Sequence, residues 1–362
     1  MTAVTARVRV HDDGAVLLAA GAARRAAVEQ GLSGALPERA AECAGELARG
    51  LALHSVRGAV YIQPLALRPG LDIVAVGAAP DPGDPTGAGP DGNGPDGDGL
   101  GRWPAAASPG GTAPADPGPL PGLGTVRRLA DDFVLRVAPG RGTAVCARLR
   151  APAAGPPDGS RQAAAPEVGT LRLPVDGESS CGDAWALEAA PGDGTLTAMV
   201  ADGLGHGPAA AAAAELAVRT LRHSPGLPLP RLMCAVHEAL RSTRGAAVGL
   251  LRRTPDGAVE HCAVGNVRAY VVGHDGVRHR FGAQPGVVGW NMPAPVAQRL
   301  PDARGGTLLL HSDGVDGGWA RSPGPELTRL PAPLLPVVLA HEHRAARDDV
   351  TVLAVAPARR TP

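Results

Sequence analysis

The chain has 362 residues and a formal net charge of +0; 44% of its residues are hydrophobic, but only 2% are aromatic. This length predicts two domains, and the composition predicts cores built from Ala, Val and Leu. The balanced charge argues against nucleic acid as the main partner, because binding to a phosphate backbone depends on a basic surface.

The cysteine pattern and the length of the apolar runs indicate the cellular compartment in which the protein is expected. The odd number of cysteines, with no C-x-x-C pair, argues against a zinc site or a disulfide framework and favours reduced thiols. The sequence has neither a signal-peptide pattern nor a stretch of about 18 apolar residues. We therefore expect a soluble, cytoplasmic protein without a membrane partner. The cysteines are Cys43, Cys146, Cys181, Cys234 and Cys262.

The first zone of the chain, about 5–79, combines helix and strand patterns. Residues 7–10 alternate between polar and apolar types, which predicts a half-buried strand. Residues 21–31 and 37–53 predict helices, the first of which ends at Gly31. Residues 60–67 and 71–76 predict paired strands.

The second zone, about 80–121, is rich in Gly, Pro and Asp and is predicted to be disordered. Regular structure is expected again from Gly122, with a short helix to about Asp132. Strands at 133–137 and 143–149 follow, joined by a tight turn at 139–142.

A second flexible stretch, about 151–167, separates the two halves of the chain. We therefore predict domains at 1–150 and 168–357, joined by this linker. The C-terminal half contains many strand patterns and two helix patterns, which favours an α+β sandwich over a parallel βαβ fold. Its strands are predicted at 196–200, 246–252, 259–264, 269–273, 306–310 and 350–356, and its helices at 208–221 and 230–241.

Acidic residues stand at strand ends or turns in the C-terminal half. Such groups can converge from neighbouring strands, and Mg²⁺ and Mn²⁺ prefer oxygen ligands. A glycine after the aspartate lets the backbone turn tightly and exposes its carbonyl. Any one Asp-Gly pair could be no more than a turn signal, but the ordered set is more specific. The segments are SSCGDAW with Asp183, VADGLGHG with Asp202, LLLHSDGV with Asp313, and ARDDVTVL with Asp348 and Asp349.

This ordered set resembles the SpoIIE/PP2C family of metal-dependent serine/threonine phosphoprotein phosphatases. That family carries G-D-x-W, D-G-x-G-H-G, S-D-G and D-D-x-T motifs in the same order, and the VGNVRAY element agrees as well. The short form D-G-L-G-H-G-P-A is especially similar to RsbX-like phosphatases. The resemblance covers about half of the chain and implies a PP2C-like αββα sandwich.

The resemblance also implies a centre of two Mn²⁺ or Mg²⁺ ions between two β-sheets. Asp202 would bridge both ions, and the Gly203 carbonyl would assist one of them. Asp183, Asp313 and Asp348 would complete the ligand set, while Asp349 would cap the turn. A metal-bridging water would attack the phosphate in line, and the ions would offset charge on the phosphoryl oxygens.

Four neighbouring residues have alternative interpretations. His206 could act as a general acid that protonates the departing serine oxygen. It could instead orient the start of the following helix, which is the interpretation that we favour. Trp185 is predicted to be a core residue. Asn266 and Arg268 could lie near the phosphate, although a strand turn is the favoured role for Asn266.

A second ordered set lies in the N-terminal half. The segments ECAGELARGLALHS, LDIVAVGAAP, LPGLGTVRRLADDF and PGRGTAVCARL resemble an anti-sigma serine kinase of the RsbT/RsbW type. This resemblance implies a GHKL-like α/β sandwich with an ATP site. Gly122, Gly124 and Thr125 match its second glycine box, and residues 139–143 match its closing turn. Residues 80–121 stand where the family has its ATP lid.

Two departures from this second pattern argue against nucleotide chemistry. Gly50 stands where the family has a magnesium-binding Asn, and Gly77 stands where an Asp reads the adenine amino group. A shifted alignment would recruit Asp81 but would leave Gly50 unable to hold magnesium. Glu46 remains as a candidate base. We interpret this half as a pseudokinase that binds a protein, with an active ATP-dependent kinase as the alternative.

Together the two resemblances imply a phosphatase fused to a degenerate kinase-like domain. The expected substrate is phosphoserine or phosphothreonine on a STAS-type anti-sigma antagonist or stressosome protein, in a pathway of sigma-factor partner switching. An anti-sigma or switch kinase is a second expected partner. Two alternatives stay open, namely a bifunctional kinase and phosphatase switch and a non-catalytic scaffold.

Overall fold

The computed structural model describes residues 4–55, 57–78, 122–138, 142–152, 166–190 and 194–357. The chain divides into an N-terminal unit, Ala6–Pro157, and a C-terminal unit, Met1–Thr5 with Asp158–Pro362. The segment 80–121, Asp81, the turn residues 139–141 and most of the predicted linker lie outside the described residues.

The N-terminal unit has one antiparallel five-stranded sheet with the order β1-β2-β3-β5-β4. The first helix begins at Gly14 rather than Gly21, because the Ala- and Leu-rich run continues upstream and the Asp12 carboxylate accepts a hydrogen bond from the Ala15 amide. The elements are β1 Ala6–Val10, α1 Gly14–Glu29, α2 Leu36–His54, β2 Arg57–Pro64, β3 Gly70–Ala78, α3 Leu123–Leu129, β4 Asp132–Ala138 and β5 Gly142–Arg150.

Small side chains build the core of this unit. Helix α2 buries Ala44 and Leu47 against Ile62, Ile73 and other apolar residues of the sheet. Alanine offers high helix propensity and a thin side chain, so α1 and α2 pack closely against each other and the sheet. The unit is therefore a two-layer α/β sandwich, as predicted.

The C-terminal unit contains strands that the sequence patterns did not predict, namely β6, β7, β12 and β13. The helices α6 and α7 were also missed. The elements are β6 Val168–Leu173, β7 Asp183–Ala189, β8 Leu196–Gly203, α4 Pro208–His223, α5 Leu229–Leu240, β9 Ala246–Arg253, β10 Val259–Val264, β11 Arg268–Gly273, β12 Gly276–Phe281, β13 Gln298–Leu300, β14 Thr307–His311, a short 3-10 helix Gly317–Arg321, α6 Pro325–Thr328, α7 Leu335–His343 and β15 Val350–Val355.

Two antiparallel five-stranded sheets form the centre of this unit. The first sheet has the order β13-β10-β9-β8-β7, and the second has the order β12-β11-β14-β15-β6. Helices α4 and α5 cover the first sheet, and α7 packs on β6 and β15 of the second. The predicted αββα sandwich is confirmed. It places the ends of β7, β8, β14 and β15, which carry the acidic motifs, between the two helix layers.

Helix α4 shows how the sequence builds these layers. Pro208 occupies its first turn, where a missing amide proton costs nothing, and Arg222 and His223 lie in its last turn, where positive charge is favourable. Its buried alanines pack with Ala186 and Ala201 of the first sheet. In the described part of the chain, no helix combines the length and the apolar composition needed to cross a membrane.

Candidate metal centre

Four predicted ligands lie at strand ends of both sheets. Asp183 begins β7 and pairs directly with Asp202 across the β7–β8 ladder of the first sheet. Asp313 follows β14, and Asp348 precedes β15, its neighbour in the second sheet. Each sheet therefore contributes two of the acidic residues that the sequence singled out.

Asp183 is held at one oxygen and open at the other. The residue is 1% exposed, and its Oδ2 accepts a hydrogen bond of 2.6 Å from the Ser312 hydroxyl. The Ser312 Oγ in turn accepts a bond of 3.0 Å from the Thr351 amide of β15. Asp183 Oδ1 is buried and has no hydrogen-bond partner among the described residues. A buried carboxylate oxygen without a partner is costly unless a ligand satisfies it.

The electrostatics show that the carboxylates face one another. Burial raises the pKa of Asp202 strongly, and the nearby carboxylates of Asp183, Asp313 and Asp348 raise it further. The Asp202 carboxyl also lies within hydrogen-bonding reach of Asp313. Burial raises the pKa of Asp183 as well, and the carboxylates of Asp349 and then Asp348 add to the effect. Like charges that share a site disfavour ionisation, and cations remove that penalty.

The two adjacent aspartates before β15 have different surroundings. Asp349 is 3% exposed, and its carboxylate accepts bonds of 2.9 Å from the Val175 amide and 2.8 Å from the Gly182 amide. These backbone amides use both of its oxygens, as expected for a residue that caps a turn. For Asp348, burial and the Asp313 carboxylate raise the pKa. The arrangement favours Asp348 over Asp349 as the ligand.

Glycines let the acidic loops approach each other. A Cβ at Gly203 would lie 2.2 Å from the Ala210 carbonyl oxygen of α4. A Cβ at Gly182 would lie 2.7 Å from Asp349 Oδ2. The Gly203 amide donates a bond of 3.1 Å to the Gly182 carbonyl, which joins the two loops directly. Any side chain at either position would push the carboxylates apart.

The residues fit divalent cations that keep much of their water. Within the described residues, no three His, Cys, Asp or Glu side chains converge closely enough to hold a metal ion by themselves. Mg²⁺ retains several waters and is commonly bound by one or two carboxylates. The open Asp183 oxygen and the neighbouring carboxylates supply hard oxygen donors of this type.

The other predicted residues occupy several positions around this centre. The His206 side chain is 67% exposed, and its Nδ1 lies 2.5 Å from Glu178 Oε1. Asn266 donates a hydrogen bond of 2.6 Å to Asp313 Oδ2, so it orients a candidate ligand in addition to following a strand. Arg268 is exposed at the start of β11. Trp185 is 6% exposed and belongs to the core, as predicted.

Sequence patterns missed a buried ion pair that positions Asp183. Arg172 donates bonds of 2.6 Å to the Asp183 carbonyl and 3.0 Å to the Cys181 carbonyl. Its Nη1 lies 3.1 Å from Glu215 Oε1, and both side chains are buried. The available signal was a charged residue inside each of two apolar stretches, VGTLRL and AAAAAAEL. Charged side chains are rarely buried unless they are paired.

The residues of the predicted nucleotide site in the N-terminal unit have close neighbours within the chain. Gly122 has φ +98°, and a Cβ there would lie 2.6 Å from Glu46 Oε2. Thr125 Oγ1 accepts a bond of 3.0 Å from Arg128, whose Nη1 lies 3.8 Å from a Cβ placed on Gly124.

Gly77 is enclosed in the same unit. A Cβ there would lie 2.5 Å from Ser55 Oγ and 2.6 Å from Leu51 Cδ2. A side chain at this position would require the Ser55 and Leu51 side chains to move.

The sequence profile of the family "Stage II sporulation protein E (SpoIIE)" matches residues 192–357. This segment contains Asp202, His206, Asp313 and Asp348, whereas Asp183 lies before it. A comparison with curated proteins finds no match.

Several solved structures are similar to part or most of this chain. One from a study of the bacterial stressosome, described as a modular system adapted to control secondary messenger signaling, is 31% identical, covers 52% of this chain and 98% of its own, and has a TM-score of 0.48. RsbX in complex with magnesium is 20% identical, with coverage of 53% and 96% and a TM-score of 0.44.

A third structure contains the PP2C phosphatase domain and a regulatory fragment of SpoIIE from Bacillus subtilis. It is 15% identical, covers 83% of this chain and 82% of its own, and has a TM-score of 0.46. These TM-scores are low, so the assignment rests on the sequence profile and the ordered motifs. On that evidence, residues 192–357 of this chain belong to the SpoIIE family of PP2C-type phosphatases.

Proposed function

We propose that the C-terminal unit is a metal-dependent phosphatase that removes phosphate from phosphoserine or phosphothreonine in a protein. The observation that carries this proposal is the direct pairing of Asp183 with Asp202 across the β7–β8 ladder, with one buried Asp183 oxygen that has no partner among the described residues. Asp313 and Asp348 of the second sheet raise the pKa of Asp202 further. Buried carboxylates that lie this close together are stabilised in their ionised form by bound cations. The match to the SpoIIE family supports hydrolysis of a phosphate ester as the reaction that such cations would serve.

The bound ions, two Mn²⁺ or Mg²⁺, would activate water and offset charge on the phosphoryl group. Asp183, Asp202, Asp313, Asp348 and the Gly203 carbonyl would hold them. Ser312 fixes Asp183 and Asn266 fixes Asp313, each through a hydrogen bond of 2.6 Å. These bonds set the direction of the ligand oxygens before any ion arrives, which reduces the reorganisation needed on binding.

The proposed substrate is a phosphorylated STAS-domain protein in a sigma-factor partner-switching pathway. The similarity to the SpoIIE family, together with the RsbX-like form of the D-G-L-G-H-G motif, supports this choice. The N-terminal unit would recognise the same protein, or a switch kinase, without phosphorylating it. The packing around Gly77 supports a binding role over an active kinase, and the open Asp183 oxygen supports an enzyme over a scaffold.

The direct test measures phosphate release from phosphorylated STAS proteins by the full-length chain. Release should require Mn²⁺ or Mg²⁺ and should stop when EDTA is added. Hydrolysis of 4-nitrophenyl phosphate should show the same metal requirement. Metal-independent turnover, or no turnover of any phosphoserine substrate with either ion, would overturn the proposed function.

A second test addresses recruitment by the N-terminal unit. A shortened chain that begins at Asp158 should retain hydrolysis of 4-nitrophenyl phosphate, which also reports that it is folded. Its KM for the phosphoprotein should rise, because tethering increases the local concentration of the substrate and the loss is one of binding. Equal KM values for the two chains would leave the N-terminal unit without a role in recruitment.

A further inference from the structure

The segment that joins α5 to β9 lies directly beside the loop that carries Asp202. The Leu204 amide of that loop donates a hydrogen bond of 3.1 Å to the Gly245 carbonyl. The Thr243 hydroxyl donates a bond of 2.8 Å to the Leu240 carbonyl and accepts one of 3.0 Å from the Gly245 amide. Residues 243–245 therefore form a fixed strap next to the candidate metal centre.

Arg244 is the middle residue of this strap, and its guanidinium group lies against the loop that carries Asp202. Its Nη1 lies 3.2 Å from the position of a Cβ on Gly205, three residues after Asp202. The Gly205 carbonyl oxygen lies at the same distance, 3.2 Å, from a Cβ placed on Gly182, the residue before Asp183. The guanidinium group therefore lies near the place where the loop after Asp202 approaches the loop before Asp183.

Arg244 is exposed and has no carboxylate partner in the described part of the chain. Other arginines of this unit do have such partners. Arg241 lies 3.4 Å from Glu238, and Arg344 lies 3.0 Å from Asp176. An exposed guanidinium that remains free beside an acidic centre is available for an anion from solvent.

Trp290 lies on the other side of the strap. Its side chain is 60% exposed, although Trp is usually buried in soluble proteins. The indole nitrogen donates a bond of 3.1 Å to the Thr243 carbonyl, and Cδ1 lies 3.5 Å from a Cβ placed on Gly245. Bonds of 3.0 and 2.9 Å between Ala246 and Val288 fix the loop that carries it. The ring is held rigidly with its polar atom already used, so it offers an apolar surface.

Building on the proposed phosphatase function, we propose that Arg244 and Trp290 form the substrate-binding rim of the site. Arg244 donates hydrogen bonds to oxygens of the phosphoryl group, and Trp290 packs on the peptide beside the phosphorylated residue. Two parallel N–H groups of a guanidinium match two phosphoryl oxygens, which a lysine cannot reproduce. The acidic centre alone would repel a phosphate dianion, so a fixed positive charge at its edge favours correct approach.

The experiment compares kcat/KM on 4-nitrophenyl phosphate and on a phosphoserine peptide library with randomised flanking residues. Because hydrogen bonds to charged groups are strong, Arg244→Ala should lower kcat/KM on both substrates by about ten- to a hundredfold. The Ki of inorganic phosphate as an inhibitor should rise by a similar factor, and Arg244→Lys should restore only part of the loss. Trp290→Ala should raise KM several-fold for the peptides alone. Arg241→Ala and Val296→Ala, at exposed positions, are the matched controls.

The outcomes separate this inference from the proposed function. A wild-type chain that hydrolyses neither substrate with Mn²⁺ or Mg²⁺ removes the proposed function and the inference with it. An active wild type with an Arg244→Ala variant that matches Arg241→Ala in kcat/KM and phosphate Ki overturns the inference alone. Equal losses on both substrates for Trp290→Ala would show that Trp290 supports the strap and does not contact peptide.

Discussion

The two units bury carboxylates at similar cross-strand positions and satisfy them in opposite ways. In the N-terminal unit, Asp72 of β3 faces Arg148 of β5 and accepts two hydrogen bonds of 2.7 Å from its guanidinium. In the C-terminal unit, Asp183 of β7 faces Asp202 of β8. In the first pair the two charges neutralise each other within the protein. In the second pair two acidic residues lie opposite each other.

This difference separates a structural charge from a functional one. Like charges directly opposite each other weaken a sheet, and burial increases their cost. A fold can retain such a pair by keeping one acid protonated or by binding a cation from outside the chain. The buried pair of Asp72 and Arg148 needs no such partner, so its loss should change stability and not chemistry.

The largest expected effect comes from Asp202→Asn. Since metal-activated water contributes several kcal/mol to such reactions, hydrolysis of 4-nitrophenyl phosphate with Mn²⁺ should fall at least about a hundredfold. The same substitution should raise the melting temperature of the metal-free chain. Because the pKa of Asp202 is raised in the fold, the group takes up a proton on folding at neutral pH, which costs stability, whereas the amide of Asn is neutral in both states and avoids that cost.

Asp302→Ala, an exposed acidic position, is the control for Asp202→Asn and should change neither quantity. Near-wild-type turnover of Asp202→Asn would break the comparison, because Asp202 would then be no more functional than Asp72.

Asp72→Ala should lower stability and leave turnover unchanged, which is the opposite of the result expected for Asp202→Asn. Removing one partner of a buried ion pair leaves an uncompensated charge and typically lowers the free energy of unfolding by about 3 to 5 kcal/mol. Hydrogen exchange at the β3 and β5 amides would locate the loss in the N-terminal unit. Turnover of 4-nitrophenyl phosphate per folded molecule should stay unchanged, as it should for Glu29→Ala at an exposed position of α1. A large fall in turnover would contradict the purely structural role.

The candidate ligands at the strand ends could be predicted from the sequence because each acidic motif is local. An apolar strand that ends in Asp-Gly, such as TAMVADG or TLLLHSDG, carries its own signal. The Ala-rich run at 208–221 likewise sufficed to predict α4. Both features depend on neighbours within a few residues. The αββα architecture, by contrast, was predicted from the family resemblance that the ordered motifs carry.

The missed features depend on partners far away in the chain. Ser312 bonds Asp183 across 129 positions, and Arg172 bonds Glu215 across 43. The pattern of β6 is interrupted by Arg172, whose burial is intelligible only once Glu215 is placed beside it. Gly169 also interrupts that pattern, because a Cβ there would lie 1.8 Å from the Ala332 carbonyl oxygen. No local periodicity reports such contacts.

His206→Ala should have a smaller effect than the ligand substitutions. Loss of a true general acid usually lowers the rate by about a hundredfold or more. His206 is 67% exposed and interacts with Glu178 at 2.5 Å, which fits a positioning role at the start of α4. We therefore expect kcat to fall by less than about tenfold, with the pH dependence of kcat unchanged. A loss of a hundredfold together with a missing basic limb in the pH profile would identify His206 as the acid.

The smallest expected effect is the response of the N-terminal unit to nucleotide. Gly77 and Gly122 have no side chain that could hold a nucleotide, and a Cβ at either position would meet Ser55 and Leu51 or Glu46. Gly50 offers no ligand for magnesium. Titration of the full-length chain with Mg-ATP in a calorimeter should give no binding tighter than about 1 mM, which corresponds to about −4 kcal/mol. Because an aspartate at position 77 would collide with α2, Gly77→Asp should lower stability without restoring affinity. Micromolar binding of Mg-ATP by the wild type, or transfer of its phosphate to a STAS protein, would show that both units carry chemistry and would remove the contrast between them.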